Sequence, residues 1–333
     1  MRASRGSVGV VCAVGLVLMG GAMVLGMVVG PAGIGFAELW RWVTGEGVSH
    51  TTGVILSCFR LPRVLVASGI GLALGVSGAA FQGMLRNPLA EPFILGISGG
   101  AAAGAVLALA LGASSSVQTV GAMAGALATM AVVGILSRRG GRMEITTLVL
   151  TGVMVNAFFS AVIMVIISLS QAEQLHSILF WLYGELGGAT MVQGAWMWAV
   201  ALAGAGLIMA LARELNLLAS GEEVARALGV EVEWVKLVLF LAVGIMSAVS
   251  VCVGGIIGFV GLMMPHIARI LLGPDHRLVV PAAGLGGGAL LVAADVVARS
   301  GIAQVSLPVG VVTACVGAPF FLLLLLRRGS QWW

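Results

Sequence analysis

Long apolar runs with at most one charged residue each recur along the chain, separated by short stretches that gather most of its charged residues. The runs lie near 8–30, 62–84, 93–112, 117–136, 146–169, 192–211, 236–255, 258–272, 278–298 and 308–326. About 20 apolar residues suffice to cross ~30 Å of hydrocarbon as a helix, so each run reads as one crossing. None alternates apolar and polar positions, and backbone in lipid must satisfy its own hydrogen bonds, so helices are predicted rather than strands. The eighth run is short and opens on Gly254, Gly255 and Gly258, which predicts a partial or broken crossing. The expected fold is all-α: a polytopic membrane protein of about ten helices forming a single transmembrane domain over residues 1–333.

Composition agrees with this pattern. The chain is 60% hydrophobic and 9% charged, too few charges to cover a soluble protein of 333 residues. Its formal charge of +4 is carried by arginine, with Lys236 the single lysine, and does not indicate a nucleic-acid partner. An even number of spans with a cytoplasmic N-terminus puts thirteen basic residues inside: Arg2, Arg5, Arg86, Arg138, Arg139, Arg142, Arg213, Arg226, Lys236, Arg269, Arg277, Arg327 and Arg328. Only Arg41, Arg60, Arg63 and Arg299 fall outside, the asymmetry expected when both termini are cytoplasmic. The first run is too long for the core of a signal peptide and is read as a retained helix. Cys12, Cys58, Cys252 and Cys315 form no CxxC pair, and neither a disulfide, a metal site nor a cofactor is expected.

Glycine is concentrated within the spans. "SGIGLALGVSGAAFQG" (68–83) and "GAMAG" (121–125) repeat small residues at four-residue spacing, which predicts close helix–helix approach. Helices 2–5 and 7–10 form two four-helix blocks of opposite sense, a pattern of inverted repeats.

Against this background "GEEVARALGV" (221–230) is anomalous. As a helix it pairs Glu222 with Arg226 at i,i+4, sets Val224, Ala227 and Leu228 on the opposite face, and stops at Gly229. Interfacial helices favour a basic polar face and bulky anchors, whereas this one is acidic and small, so a helix presented to a protein groove is the better reading. "RNPLAEP" (86–92), with Asn87 and Pro88, predicts a tight turn between helices 2 and 3. Ser98 in "GISGG" would suit an intramembrane serine protease only with His266 as base, and small-residue packing explains it fully. Pro265 and His266 lie in the eighth run, where no Cys or carboxylate stands at metal-ligand spacing. An ion-coupled carrier would need intramembrane carboxylates, and Asp295, i,i+4 from Arg299, is the one acid near a span interior. Tyr183 and Glu185 in "WLYGELGG" (181–188) are unexpectedly polar, and the sequence assigns them no role. No phosphate-binding loop precedes Lys236, so any ATP hydrolysis belongs to another subunit.

Four long blocks, 60–104, 215–230, 254–299 and 307–328, resemble in order the FecCD/BtuC-type permeases of ATP-binding-cassette importers for iron chelates and vitamin B12. The resemblance implies a homodimer in the bacterial inner membrane, with two ATPase subunits beneath and a periplasmic or extracellular binding protein above. It implies import of a ferric siderophore or haem, with cobalamin as the alternative. Within the cytoplasmic segment 213–235, Gly221, Glu222, Glu223, Ala225, Arg226, Leu228 and Gly229 then correspond to a coupling helix that docks on the ATPase. Arg60, Arg63 and Arg299 correspond to outer arginines that meet acidic residues of the binding protein. Asn87, Pro88, Pro265, His266, Pro308 and Gly310 belong to the shared structural motifs. In "QVSLPVG" (304–310), Gln304 and Ser306 stand where the family usually has proline and glutamate.

Overall fold

The computed structural model describes residues 5–300 and 307–327, so Arg2, Gln304, Ser306 and Arg328 lie outside the described residues. The chain opens with α1 (Arg5–Val28), the short α2 (Phe36–Thr44) and α3 (His50–Val54), then a π-turn at Ile55–Arg60 leading into α4 (Leu61–Leu85). A 3₁₀ turn at Pro92–Leu95 precedes α5 (Ile97–Ala110) and α6 (Ser115–Leu136). A small hairpin, β1 (Arg138–Arg139) and β2 (Arg142–Met143), joins α6 to α7 (Ile145–Leu169). Next come α8 (Ala172–Leu182), α9 (Met191–Ala210), α10 (Ala212–Ala219), α11 (Glu222–Ala227) and α12 (Val232–Gly254). The chain closes with α13 (Val260–Leu272), α14 (His276–Ser300) and α15 (Val309–Arg327).

Seven of these helices are long and apolar enough to cross a membrane, and α5, α13 and α15 are shorter apolar helices. Together they match the predicted ten crossings. Chain direction alternates, so the start of α1, the hairpin, residues 212–231 and the turn before α14 share one end. We call it the basic end, since Arg138, Arg142, Arg213, Arg226 and Arg277 gather there.

The centre of the molecule is α4, buried along almost its whole length and packed on α9, α12, α13 and α14. It is apolar all round, as a fully enclosed helix must be. Its small residues set the approach distance. A methyl group at Gly71 would overlap the carbonyl of Gly287, one at Gly75 that of Ala283, and one at Gly78 that of Gly261. Gly100 and Gly104 of α5 meet Gly125 and Gly121 of α6 in the same way. The four-residue spacing thus produces backbone-to-backbone seams, where dispersion and close packing replace the missing hydrophobic drive between helices in lipid.

Two boundaries differ from the sequence expectation. The third crossing starts at Ile97 rather than near residue 93, because Pro92 holds Glu91 extended (φ −113°, ψ 140°) and Gly96 turns the chain at φ +74°. The eighth starts at Val260, after a non-helical stretch from Gly255 to Phe259, which confirms a broken crossing. These two breaks meet: the Phe259 N–H donates to Glu91 Oε1 at 2.8 Å. Since Gly261 sits against Gly78 well inside α4, Glu91 is a second acid at membrane depth beside Asp295, which the apolar pattern did not reveal. Irregular backbone at that depth has to be enclosed by protein and given partners, and Glu91 supplies one.

The backbone of Tyr183 and Gly184 receives the last helix, whereas the polar side chains of Tyr183 and Glu185 have no structural explanation. The Tyr183 and Gly184 carbonyls accept from the Gly310 and Val309 N–H groups at 3.0 and 2.9 Å, capping the start of α15 just after Pro308. A side chain at Gly310 would overlap the Tyr183 carbonyl, so this close approach needs glycine.

Candidate functional site: a charged helix fastened to the basic end

The segment at 221–230 folds as the sequence predicts. Gly221 enters α11 at φ +125°, which only glycine adopts easily. At the other end the Gly229 N–H bonds to Arg226 O and the Val230 N–H to Ala225 O, both at 3.0 Å, with Gly229 at φ +83°. This is a Schellman stop, which satisfies carbonyls that a six-residue helix otherwise leaves open. Ala225 faces the protein, whereas Glu223, Val224, Ala227 and Leu228 face out. Val224 and Leu228, one turn apart, form an apolar patch with 46% and 59% of their surfaces exposed.

Glu222 and the half-exposed Arg226 are joined in a ring with side chains of α12. Arg226 Nη2 lies 3.0 Å from both Glu222 Oε2 and Glu233 Oε1. Lys236 Nζ lies 3.2 Å from Glu222 Oε1 and from Glu233 Oε1. The predicted Glu222–Arg226 pair is therefore present but is half of a four-membered arrangement. Lys236, only 2% exposed, also donates to Met143 O at 2.6 Å, and the Met143 N–H donates to Glu233 Oε2 at 2.7 Å. Two acids and two bases cancel, so a buried ammonium is tolerated. The ring ties α11 to α12 and, through Met143, to the hairpin before α7. The sequence offered one signal for Lys236, a single lysine in the first turns of an apolar helix, but not its partners.

A second lock holds the approach to α11. Asn216 of α10 donates to Asp275 Oδ1 at 2.8 Å and accepts from the His276 N–H at 2.9 Å. Burial alone would raise the Asp275 carboxyl, but hydrogen bonds from Arg277 and Asn216 outweigh it and bring it down to about 2. It is therefore ionised at any physiological pH. At the neighbouring turn, Asn87 Oδ1 accepts from the Leu89 N–H at 2.9 Å and Arg86 adopts φ +52°, so "RNPLAEP" is a turn as expected, with Pro88 within it. Pro265 and His266 are buried in α13, and the His266 ring packs edge-on against Phe320 and Phe321 of α15 at 6.5 and 5.7 Å. Ser98 is buried in the first turn of α5.

At the opposite end the three outer arginines turn inward. Arg60 donates to the Met27 and Val28 carbonyls, the latter at 2.7 Å, and Arg299 donates to Gly26 O. These are the open carbonyls at the C-terminus of α1, where cations are favoured. Arg63 Nε bonds Asp295 Oδ1 at 2.8 Å, and Arg299 Nε lies 3.4 Å from Asp295 Oδ2. All three guanidinium groups are thus engaged by this chain's own carbonyls and carboxylate. Arg60 and Arg299 are enclosed, and Arg63 alone keeps a fifth of its side chain exposed. One buried carboxylate and a helix end draw them in.

Comparison with known proteins places this geometry. The FecCD transport family model matches residues 16–327. The cobalamin import system permease protein BtuC of Halobacterium salinarum is 41% identical over 85% of this chain and 76% of its own length. The hemin transport system permease protein HmuU of Yersinia pestis is 39% identical over 91% of each chain. A solved metal-chelate type ABC transporter in an inward-facing conformation superposes with a TM-score of 0.82 at 30% identity, covering 96% of this chain and all of the other. A family match from residue 16 to residue 327, nearly the whole length, means that this multi-span permease subunit belongs to the FecCD transport family of ABC importers.

Proposed function

We propose that the chain imports a ferric chelate, siderophore or haem, through the bacterial cytoplasmic membrane as a homodimer. Its basic end faces the cytoplasm, where two separate ATPase subunits dock on α11, and a binding protein delivers cargo at the opposite end. The observation that carries this reading is the outward patch of Val224 and Leu228 on a helix whose charged face is already occupied by its own protein. A free apolar patch beside satisfied charges suits a groove in a partner protein. Closure of the ATPase pair on ATP would push α11, and the ring at Lys236 would pass that displacement into α12 and, via Met143, into α7. Tilting of those helices gives alternating access.

Replacing Val224 and Leu228 together by Asp leaves the ring untouched and is expected to reduce the amount of co-purified ATPase subunit about tenfold or more, the effect of losing a hot-spot pair. Undiminished co-purification would remove α11 from the coupling role. Cobalamin is the alternative cargo, in keeping with the name of the Halobacterium relative. The cargo is tested by titrating the binding protein encoded beside this chain with ferric siderophores, haem and cobalamin, then measuring its docking to the chain in nanodiscs. Tightest binding of a ferric chelate supports the proposal and tightest binding of cobalamin replaces it. In the same assay Arg63→Glu is expected to weaken docking, and equal affinity would restrict Arg63 to its bond with Asp295.

A further inference from the structure

We propose that the groove between α6 and α12 at the basic end binds one anionic phospholipid, whose headgroup braces the hairpin that holds α11. The groove has a volume of about 610 Å³ and is walled by Leu127, Met130, Gly134, Ile135, Leu237 and Leu241, with Arg138 at its mouth. From Leu127 to its end at Leu136, α6 rises about 14 Å, close to the depth of one leaflet's hydrocarbon, and Arg138 follows two residues on. A single acyl chain therefore fits with its phosphate at the level of Arg138. Trp234, exposed in the first turn of α12 beside this groove, marks the same headgroup level.

Charge selects the lipid. Arg138 and Arg142 are exposed at the hairpin, and neither has a carboxylate partner among the described residues. The nearby Glu144 is engaged by the Thr147 hydroxyl at 2.6 Å. Basic residues at the mouth of a groove between membrane helices favour an anionic headgroup over a zwitterionic one. A second copy of the chain is a poorer occupant, because a symmetric contact here would set the same arginines against each other.

The consequence for α11 follows from one residue. Met143 succeeds Arg142 in the hairpin, and its N–H and carbonyl are held by Glu233 and Lys236. A headgroup that immobilises Arg138 and Arg142 thereby immobilises the ring around Glu222. This holds whether or not α11 docks an ATPase.

The test uses the purified full chain. Native mass spectrometry would count retained phosphatidylglycerol against phosphatidylcholine. Hydrogen exchange in nanodiscs of either lipid would follow residues 138–144 and 222–233. Wild type is expected to prefer phosphatidylglycerol about tenfold, on the order of the attraction of two arginines, with slower exchange of both segments in that lipid. Arg138→Gln with Arg142→Gln removes the charge, and Ala131→Trp fills the groove while keeping it. Each should abolish the preference while the protein stays monodisperse. An unchanged preference in either variant would overturn the site, as would equal slowing by free glycerol phosphate, which would indicate a headgroup pocket without the groove. Efficient Ala131→Cys self-crosslinking in the membrane would give the groove to a second copy instead. Preserved preference in wild type without slower exchange at 222–233 would remove the bracing role.

Discussion

Lys236→Met is expected to free α11 from the membrane helices while leaving the ten crossings in place. The substitution keeps the apolar stem and deletes the one ammonium that Glu222, Glu233 and the Met143 carbonyl share. Two carboxylates would then face each other with only the half-exposed Arg226 between them, and a buried carbonyl would lose its donor. Removing one partner of a fully buried pair costs about 3–5 kcal/mol, but both acids are partly solvated here, so about 1–3 kcal/mol is the expected loss. Most of it should appear locally. Hydrogen exchange over 138–144 and 222–233 should accelerate about tenfold or more, with little change in α4 or α14. In a reconstituted transporter, cargo movement should fall while ATP hydrolysis continues, since the link between α11 and α12 is what the variant cuts. Unchanged exchange in both segments would show that Ala225 packing and the Schellman stop hold α11 without the ring.

Gly75→Leu and Gly78→Leu are expected to have the largest effect on folding. In each case the new side chain would run into a carbonyl of another backbone, that of Ala283 or Gly261, and not into a flexible side chain that could step aside. Relief requires α14 or α13 to move away from α4, opening the seams that organise the bundle. Overpacking of a tight core costs about 1–3 kcal/mol, and an obstruction by backbone belongs at or above the top of that range. Loss of the monodisperse peak in size exclusion and a lower melting midpoint in detergent are the expected readings. Gly21→Leu in α1, where open space surrounds the position, is the control and should behave as wild type. Equal behaviour of all three would mean that the α4 seams are not the limiting contacts.

What could be read from the chain and what could not divide along a physical line. Crossing number, the break before Val260, the turn at Asn87–Pro88, the small-residue seams and the stop at Gly229 all follow from interactions within a few residues or from the transfer of apolar side chains into lipid. Those are written locally in hydropathy, glycine and proline. The start of α5 at Ile97 was misplaced because hydropathy does not register how Pro92 extends Glu91.

The remaining features depend on residues far apart in the chain. Lys236 reaches Met143 across 93 positions, Arg63 reaches Asp295 across 232, and Phe259 meets Glu91 across 168. Topology put Arg60, Arg63 and Arg299 together at the end opposite the basic end but could not show that they turn inward, because the carbonyls and carboxylate that draw them come from α1 and α14. For the same reason "GEEVARALGV" disclosed a helix, its internal ion pair and its stop, but not which face was free. The sequence by itself determined a ten-span bundle with a charged helix at its basic end, since solvent transfer and backbone conformation act on each segment separately. Only the tertiary structure decided how that helix is fastened, because charges in a low-dielectric interior find their partners wherever packing brings them together.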